Sequence, residues 1–203
     1  IMFADFRRDP DQHPLKTPSG KIEIFSSTVA SFAYDDCLGH PAWFTPPEWL
    51  GAAEDTYPLH LLSNQPRTKL HSQLDQGPVA AAAKIKGREE VQMHKDDAAA
   101  RGIEEGDIIR LFNARGAIYV GVRITDQIRH GVVMVPTGAW LDLDKDDPEL
   151  CKHGNPNMLA PDRPTSKLAQ GPAAHSCLVQ AEAVDQTRLP EVTAFIPPVI
   201  EKG

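Results

Sequence analysis

The chain is poor in cysteine, carries no surplus of positive charge and lacks any long hydrophobic run. Its three cysteines, Cys37, Cys151 and Cys177, are scattered and odd in number, so they set out no disulfide framework and suggest a reducing compartment. With 21 Lys and Arg against 28 Asp and Glu the formal charge is −7, which argues against a general nucleic-acid binder and its basic stripe. No segment is long and apolar enough to span a membrane. No signal peptide opens the chain, because Asp5, Arg7, Arg8, Asp9 and Asp11 interrupt its start. The first residue, Ile1, is not a natural initiator, so a fragment or a processed product is expected. A Gly-x-Ser-x-Gly elbow is absent, which leaves serine-based hydrolysis without support. There is also no glycine-rich phosphate cradle of the usual dinucleotide or P-loop type, so any nucleotide must be held by another geometry.

What is present points to a mainly β protein. The apolar fraction of 41% and charged fraction of 24% are those of an ordinary soluble protein, and 203 residues suffice for one core with extensions. Eighteen prolines and fourteen glycines favour short elements and many turns. Residues 1 to about 50 read as irregular, with a half-buried strand expected at Lys21–Phe25 from its alternation and a short helix at Ser26–Phe32. The proline-rich run His40–Leu50 reads as an extended arm that buries its tryptophans against another body. From Tyr57 the pattern changes. Strands are expected at Tyr57–Leu62, within Lys84–Met93, at Ile108–Phe112, Ala117–Ile124, Val132–Val135 and Cys177–Ala181. A short helix at Lys95–Gly102 has acidic residues at its start and glycine at its stop. Six or so short strands around one brief helix suggest a closed barrel. The tail from Asp185 reads as a surface extension.

Three constellations carry chemistry. The first is the loop Ser63-Asn64-Gln65-Pro66-Arg67-Thr68-Lys69-Leu70-His71-Ser72-Gln73, which follows the first strand and is dense in hydrogen-bonding groups. Between Ser63 and Val91, Arg67, Lys69, Lys84, Lys86 and Arg88 oppose Asp75, Glu89 and Glu90, a local balance of +2. A basic, amide-rich loop of this kind suits a phosphate or pyrophosphate, although composition alone favours a solvated surface loop. The second is Cys151–Asn157 with Thr165–Gly171, where Asn155, Asn157 and Gln170 each offer a donor and an acceptor to a heterocycle such as guanine or a pterin. The alternative is ordinary loop structure, since Asn also caps turns. The third pairs Cys151-x-His153 with His175-x-Cys177, a minor zinc option whose one-residue spacing is tighter than usual. Cys37-x-x-His40 is weaker still.

Several runs, in order, resemble the C-terminal domain of the molybdopterin oxidoreductases of the dimethyl sulfoxide reductase family. They are Leu61–Pro66, Leu70–Gln73, Asp107–Gly116, Thr137-Gly138-Ala139-Trp140, His153–Asn157 and Thr165–Gln170, with Thr17–Glu23 and Gly39–Trp43 upstream. The branch most similar is that of the biotin sulfoxide, trimethylamine N-oxide and dimethyl sulfoxide reductases. The resemblance implies a mainly β fold, a six-stranded double-psi β-barrel with short helices and an irregular N-terminal arm. It implies an arm over residues 1–56 linked to upstream domains, a barrel over 57–185 and a C-terminal extension over 186–203. It implies binding of molybdopterin guanine dinucleotide, two copies per molybdenum in the complete enzyme, with Ser63, Asn64, Gln65, Arg67, His71, Ser72 and Gln73 on one side and Asn155 and Gln170 near the pterin. The metal's protein ligand is expected in an earlier domain, so this chain alone is expected to be inactive. The implied partners are those upstream domains, an S- or N-oxide substrate and an electron donor that the residues do not name. A formate dehydrogenase-like enzyme sharing the same domain, or a stand-alone barrel module, remains as an alternative. The compartment is expected to be cytoplasmic or periplasmic, with the cytoplasm preferred.

Overall fold

Period-two alternation builds the barrel. The computed structural model describes residues 1–196, so part of the tail lies outside the described residues. Seven strands occur among them: β1 (Leu59–Leu62), β2 (Glu90–His94), β3 (Ile108–Asn113), β4 (Gly116–Thr125), β5 (Val132–Met134), β6 (Leu150–Cys151) and β7 (Leu178–Ala183). Residues two apart share a face of a strand. Accordingly Leu59 with Leu61, Val91 with Met93, Ile109 with Leu111, Ile118 with Val120 and Val122, Val133 with Val135, and Val179 with Ala181 converge in one buried cluster.

The strands run in the order β2-β5-β1-β7-β3-β4, and β4 pairs back onto β2, which closes a six-stranded ring; β6 is a short addition beside β4. The ring is mixed. β1 with β5 and β2 with β4 are parallel, the latter over five residue pairs from Glu90↔Gly121 to His94↔Thr125. The other ring contacts are antiparallel. Closure leaves no free edge along the ring and fills its interior with side chains. The fold is therefore the closed six-stranded β-barrel expected from the sequence.

Among the described residues four five-residue helices accompany the strands: α1 (Ala4–Arg8), α2 (Ser27–Ser31), α3 (Pro78–Ala82) and α4 (Lys95–Ala99). No helix among the described residues is long and apolar enough to cross a membrane. The chain divides into two compact units, Ile1–Thr45 with Pro164–Pro172, and Pro46–Arg163 with the chain from Ala173. In the first unit no residue is buried, and Ile24 (76% exposed) and Trp43 (80%) stand in solvent.

The strand expected at Lys21–Phe25 does not form. Alternation makes a strand only where a neighbour completes its ladder. Here Thr17 Oγ1 donates to the Lys21 carbonyl (2.6 Å) and the Ser19 amide to Glu23 Oε1 (2.9 Å), which folds the segment into turns with Ile22, Ile24 and Phe25 exposed. The tail also does more than lie on the surface. Thr193 donates to Asp142 through both its amide (2.7 Å) and its hydroxyl (2.6 Å), and the Phe195 ring meets those of Trp140 and His153.

Candidate functional site

The loop after β1 is shaped by its own side chains. Gln65 braces it, donating from Nε2 to the Lys69 carbonyl (2.7 Å) and accepting the His71 amide at Oε1 (3.3 Å). The Gln73 amide donates to the Leu70 carbonyl (2.9 Å), closing a turn in which His71 adopts φ +51°, a left-handed backbone that costs a non-glycine residue about 1–2 kcal/mol. The turn is held from the far side by the segment after β5. Gly138, at φ +95°, packs so closely that a Cβ there would lie 1.8 Å from the His71 carbonyl oxygen. Two residues on, Trp140 donates from Nε1 to the Ser72 carbonyl (2.8 Å) and from its amide to Asp75 Oδ2 (3.0 Å).

A third segment joins them after β6. Buried His153 bonds from Nδ1 to the Trp140 carbonyl (3.0 Å), and its Nε2 is buried without a hydrogen-bond partner. Gly154 (φ +92°) lets the chain pass Glu89, Val120 and Tyr119, where a Cβ would come within 2.9–3.2 Å of each. Asn155 then caps the single 3₁₀ turn Pro156–Met158, accepting the Asn157 amide at Oδ1 (3.0 Å). The far end of that turn is fixed by the β3–β4 hairpin, since Asn113 Nδ2 (3.0 Å) and Arg115 Nε (2.6 Å) both donate to the Leu159 carbonyl.

Between these segments lies a cleft of about 560 Å³, lined by His71, Ser72, Thr137–Leu141, Asn155 and Asn157. That volume is within the usual range for a small-molecule site. Among the described residues the His71 ring, the Ser72 hydroxyl and the Asn155 amide nitrogen make no hydrogen bond.

Three of the nine expected site residues, His71, Ser72 and Asn155, thus share one cleft. Asn64, Gln65 and Arg67 line a second, of about 470 Å³, with Glu90 and Gln92. Ser63 lines neither; its amide donates to His175 Nδ1 (3.3 Å). Gln73 is exposed and contributes its amide to the turn. Gln170 is exposed and belongs to the other compact unit. The site choices omitted Thr137, Gly138 and Trp140, although a Thr-Gly-Ala-Trp run just after a strand is itself the signal of a tight turn carrying an aromatic. Asn157, noted among the amides, also lines the cleft.

The local positive charge is largely spent inside the protein. Lys69 and Lys84 both bond Asp75 (2.6 and 2.8 Å) and Glu89, forming a four-membered cluster whose side chains are at most 5% exposed. Burial alone raises the Asp75 carboxyl, but the two lysines and the Trp140 amide outweigh it and hold the group below the ordinary carboxylate range. Burial likewise lowers Lys69, and its two carboxylate partners reverse that and raise it. The expected surplus therefore does not face a ligand as counted; Arg67 remains exposed at the second cleft with no ion pair among the described residues. His153 is pushed down, chiefly by burial and then by Lys84, so the ring is neutral at pH 7.

The zinc option is not realised. Among the described residues no three His, Cys, Asp or Glu side chains are grouped to hold a metal, because Cys177 turns into the core against Asn113, Arg115 and Leu159 while His153 faces Trp140.

The chain is a barrel domain with a polar cleft beside it, and its similarity to known proteins gives the family. The model described as "Molydopterin dinucleotide binding domain" matches residues 59–178. The chain belongs to the molybdopterin dinucleotide-binding domain family. It is 49% identical over 182 residues to the biotin sulfoxide reductase of Cereibacter sphaeroides, a match covering 89% of this chain and 24% of the relative. It is 47% identical over 204 residues to trimethylamine-N-oxide reductase 1 of Escherichia coli O157:H7, covering 98% of this chain and again 24% of the relative. The chain thus spans about a quarter of the length of these relatives. Among solved structures, acetylene hydratase from Pelobacter acetylenicus shares the fold at a TM-score of 0.68 and 19% identity, over 87% of this chain and 25% of that one.

Proposed function

We propose that the cleft between the His71–Ser72 turn, the Thr137–Leu141 segment and Asn155 holds part of a molybdopterin guanine dinucleotide, and that the complete polypeptide reduces an S- or N-oxide. The observation that carries the first half is the cleft itself. The His71 ring, the Ser72 hydroxyl and the Asn155 amide nitrogen, none of them hydrogen-bonded among the described residues, line the cleft beside Trp140, and the turn that presents His71 and Ser72 is packed against a glycine with no room for a Cβ. A pterin and a guanine both display donors and acceptors along one edge, and His71, Ser72 and Asn155 supply complementary groups. Arg67 is the exposed cation best placed in sequence to meet a pyrophosphate oxygen. The residues present therefore fit the group.

When bound, the cofactor supplies the two-electron chemistry of oxygen removal; this chain's residues bind and orient it and keep water from one side. Identity to relatives named as biotin sulfoxide and trimethylamine-N-oxide reductases favours oxide reduction over the dehydrogenase alternative. The metal's protein ligand is assigned to another part of the polypeptide, in keeping with relatives about four times as long as this chain. That further part also suits the exposed Ile24, Phe25 and Trp43, which read as surface awaiting a covering domain. The three cysteines are free thiols, which supports a cytoplasmic setting.

The test is chemical. The purified full-length gene product, treated with acid, is expected to release guanine nucleotide and an oxidised pterin, and to reduce biotin sulfoxide or trimethylamine N-oxide with a reduced dye. A product free of guanine nucleotide contradicts the binding reading; loaded product inactive on both oxides contradicts the substrate class.

A further inference from the structure

We infer that Trp140 is a binding residue of the cleft, a fixed aromatic wall on which a bicyclic 2-amino-4-oxo heterocycle stacks. The inference rests on the proposed function, and deepens it. Every polar atom of Trp140 is already engaged: Nε1 on the Ser72 carbonyl (2.8 Å), the amide on Asp75 (3.0 Å) and the carbonyl on His153 (3.0 Å). The Phe195 ring abuts the indole at 5.3 Å and 70°. Asp75 is itself pinned by two buried lysines, so the anchor cannot drift. Yet the residue lines the cleft and stays 37% exposed. What it offers the cleft is thus not a hydrogen bond but an oriented π surface, and nothing remains to be ordered when a ligand arrives.

A tryptophan serving the core alone would bury its ring, as the barrel buries its large aliphatic residues. Fixed aromatic platforms bind flat heterocycles by stacking, while nearby polar groups read the edge. At this cleft the edge readers are His71, Ser72 and Asn155. The chemistry selected is one that guanine and pterin share, so the test must separate the two.

The full-length product is prepared cofactor-free as wild type, Trp140→Phe and Trp140→Leu, and titrated with molybdopterin and with its guanine dinucleotide. Both variants lose the donor to Ser72, so their difference isolates the ring. Trp140→Phe is expected to bind within about threefold of wild type, and Trp140→Leu at least about fivefold more weakly, the lower bound for one stacked base. Weakening of both ligands assigns the pterin; weakening of the dinucleotide alone assigns the guanine. Because a variant can fail for lack of folding, a second measurement uses wild-type sequence carrying 5-fluorotryptophan. The Trp140 fluorine resonance, identified by its loss in Trp140→Phe, is expected to shift by a ring current on loading. Equal affinities for Phe and Leu variants, or an unmoved resonance in loaded protein, overturn the inference while leaving the proposed function intact. A wild type that binds neither ligand overturns the proposed function, and the inference with it.

Discussion

Gly138 is the residue on which the cleft turns. It combines a left-handed φ of +95° with contact against the His71 carbonyl, so alanine there meets both a backbone penalty and a collision. Gly138→Ala is expected to destabilise the chain by roughly 2–4 kcal/mol, adding overpacking to the cost of a left-handed backbone. Urea denaturation of the 203-residue chain measures it; an unchanged midpoint contradicts the close packing of the two segments. The charged cluster beneath is equally specific in its demands. Lys69, Lys84, Asp75 and Glu89 satisfy one another away from water, so removal of any single member leaves one buried charge unbalanced. A count of charges along the sequence makes these lysines anion binders, and only the fold shows that their anions are Asp75 and Glu89.

At the scale of elements, strands were legible and loops were not. Leu59–Leu62, Ile108–Asn113 and Leu178–Ala183 announce themselves because barrel closure buries alternate residues, and burial writes a period of two into the sequence, whereas Gly116–Thr125 is buried on both faces through Val122 and reads as a nearly continuous apolar run. The same rule misleads at Lys21–Phe25, where alternation occurs without a neighbouring strand. Short elements such as α3 and the two-residue β6 leave too few residues for a period to register. In the site, residue types single out polar loops, and which of their residues meet is decided by non-local contacts. Gln65 is a brace rather than only a binder, and Trp140 enters the cleft through a carbonyl 68 positions away in the chain.

The packing of the tail onto the His153 segment carries a pH signature. His153 is buried against Phe195, Trp140, Asp75, Glu89 and Lys84, and its proton affinity is depressed. The folded ring therefore stays neutral where an unfolded histidine, with a pKa near 6.5, takes up a proton. Stability is complete above about pH 6.5 and falls as pH drops from there toward the folded value. Thermal unfolding is expected to shift downward between pH 7 and pH 5, and His153→Gln to flatten the shift; His60, also depressed chiefly by burial, leaves a residual slope of the same sign. A slope unaffected by His153→Gln contradicts the neutral buried assignment. Asp75 acts in a separate window, its contribution lost only in the carboxylate range as its depressed pKa is crossed from above.

At the scale of the whole molecule, the chain is a well-packed barrel accompanied by a unit that buries nothing, in a family whose members here run to about four times its length. The proposed function amounts to a location, with the dinucleotide expected against the Ser63–Asp75 loop, Thr137–Leu141 and the Asn155 turn. Amide hydrogen exchange on the full-length product, loaded against cofactor-free, tests that location most directly. Slowed exchange is expected in residues 64–75, 137–141 and 154–158. Unchanged exchange in all three, with protection instead around the groove lined by Asp55, Arg101, Gln180 and Glu182, would contradict it.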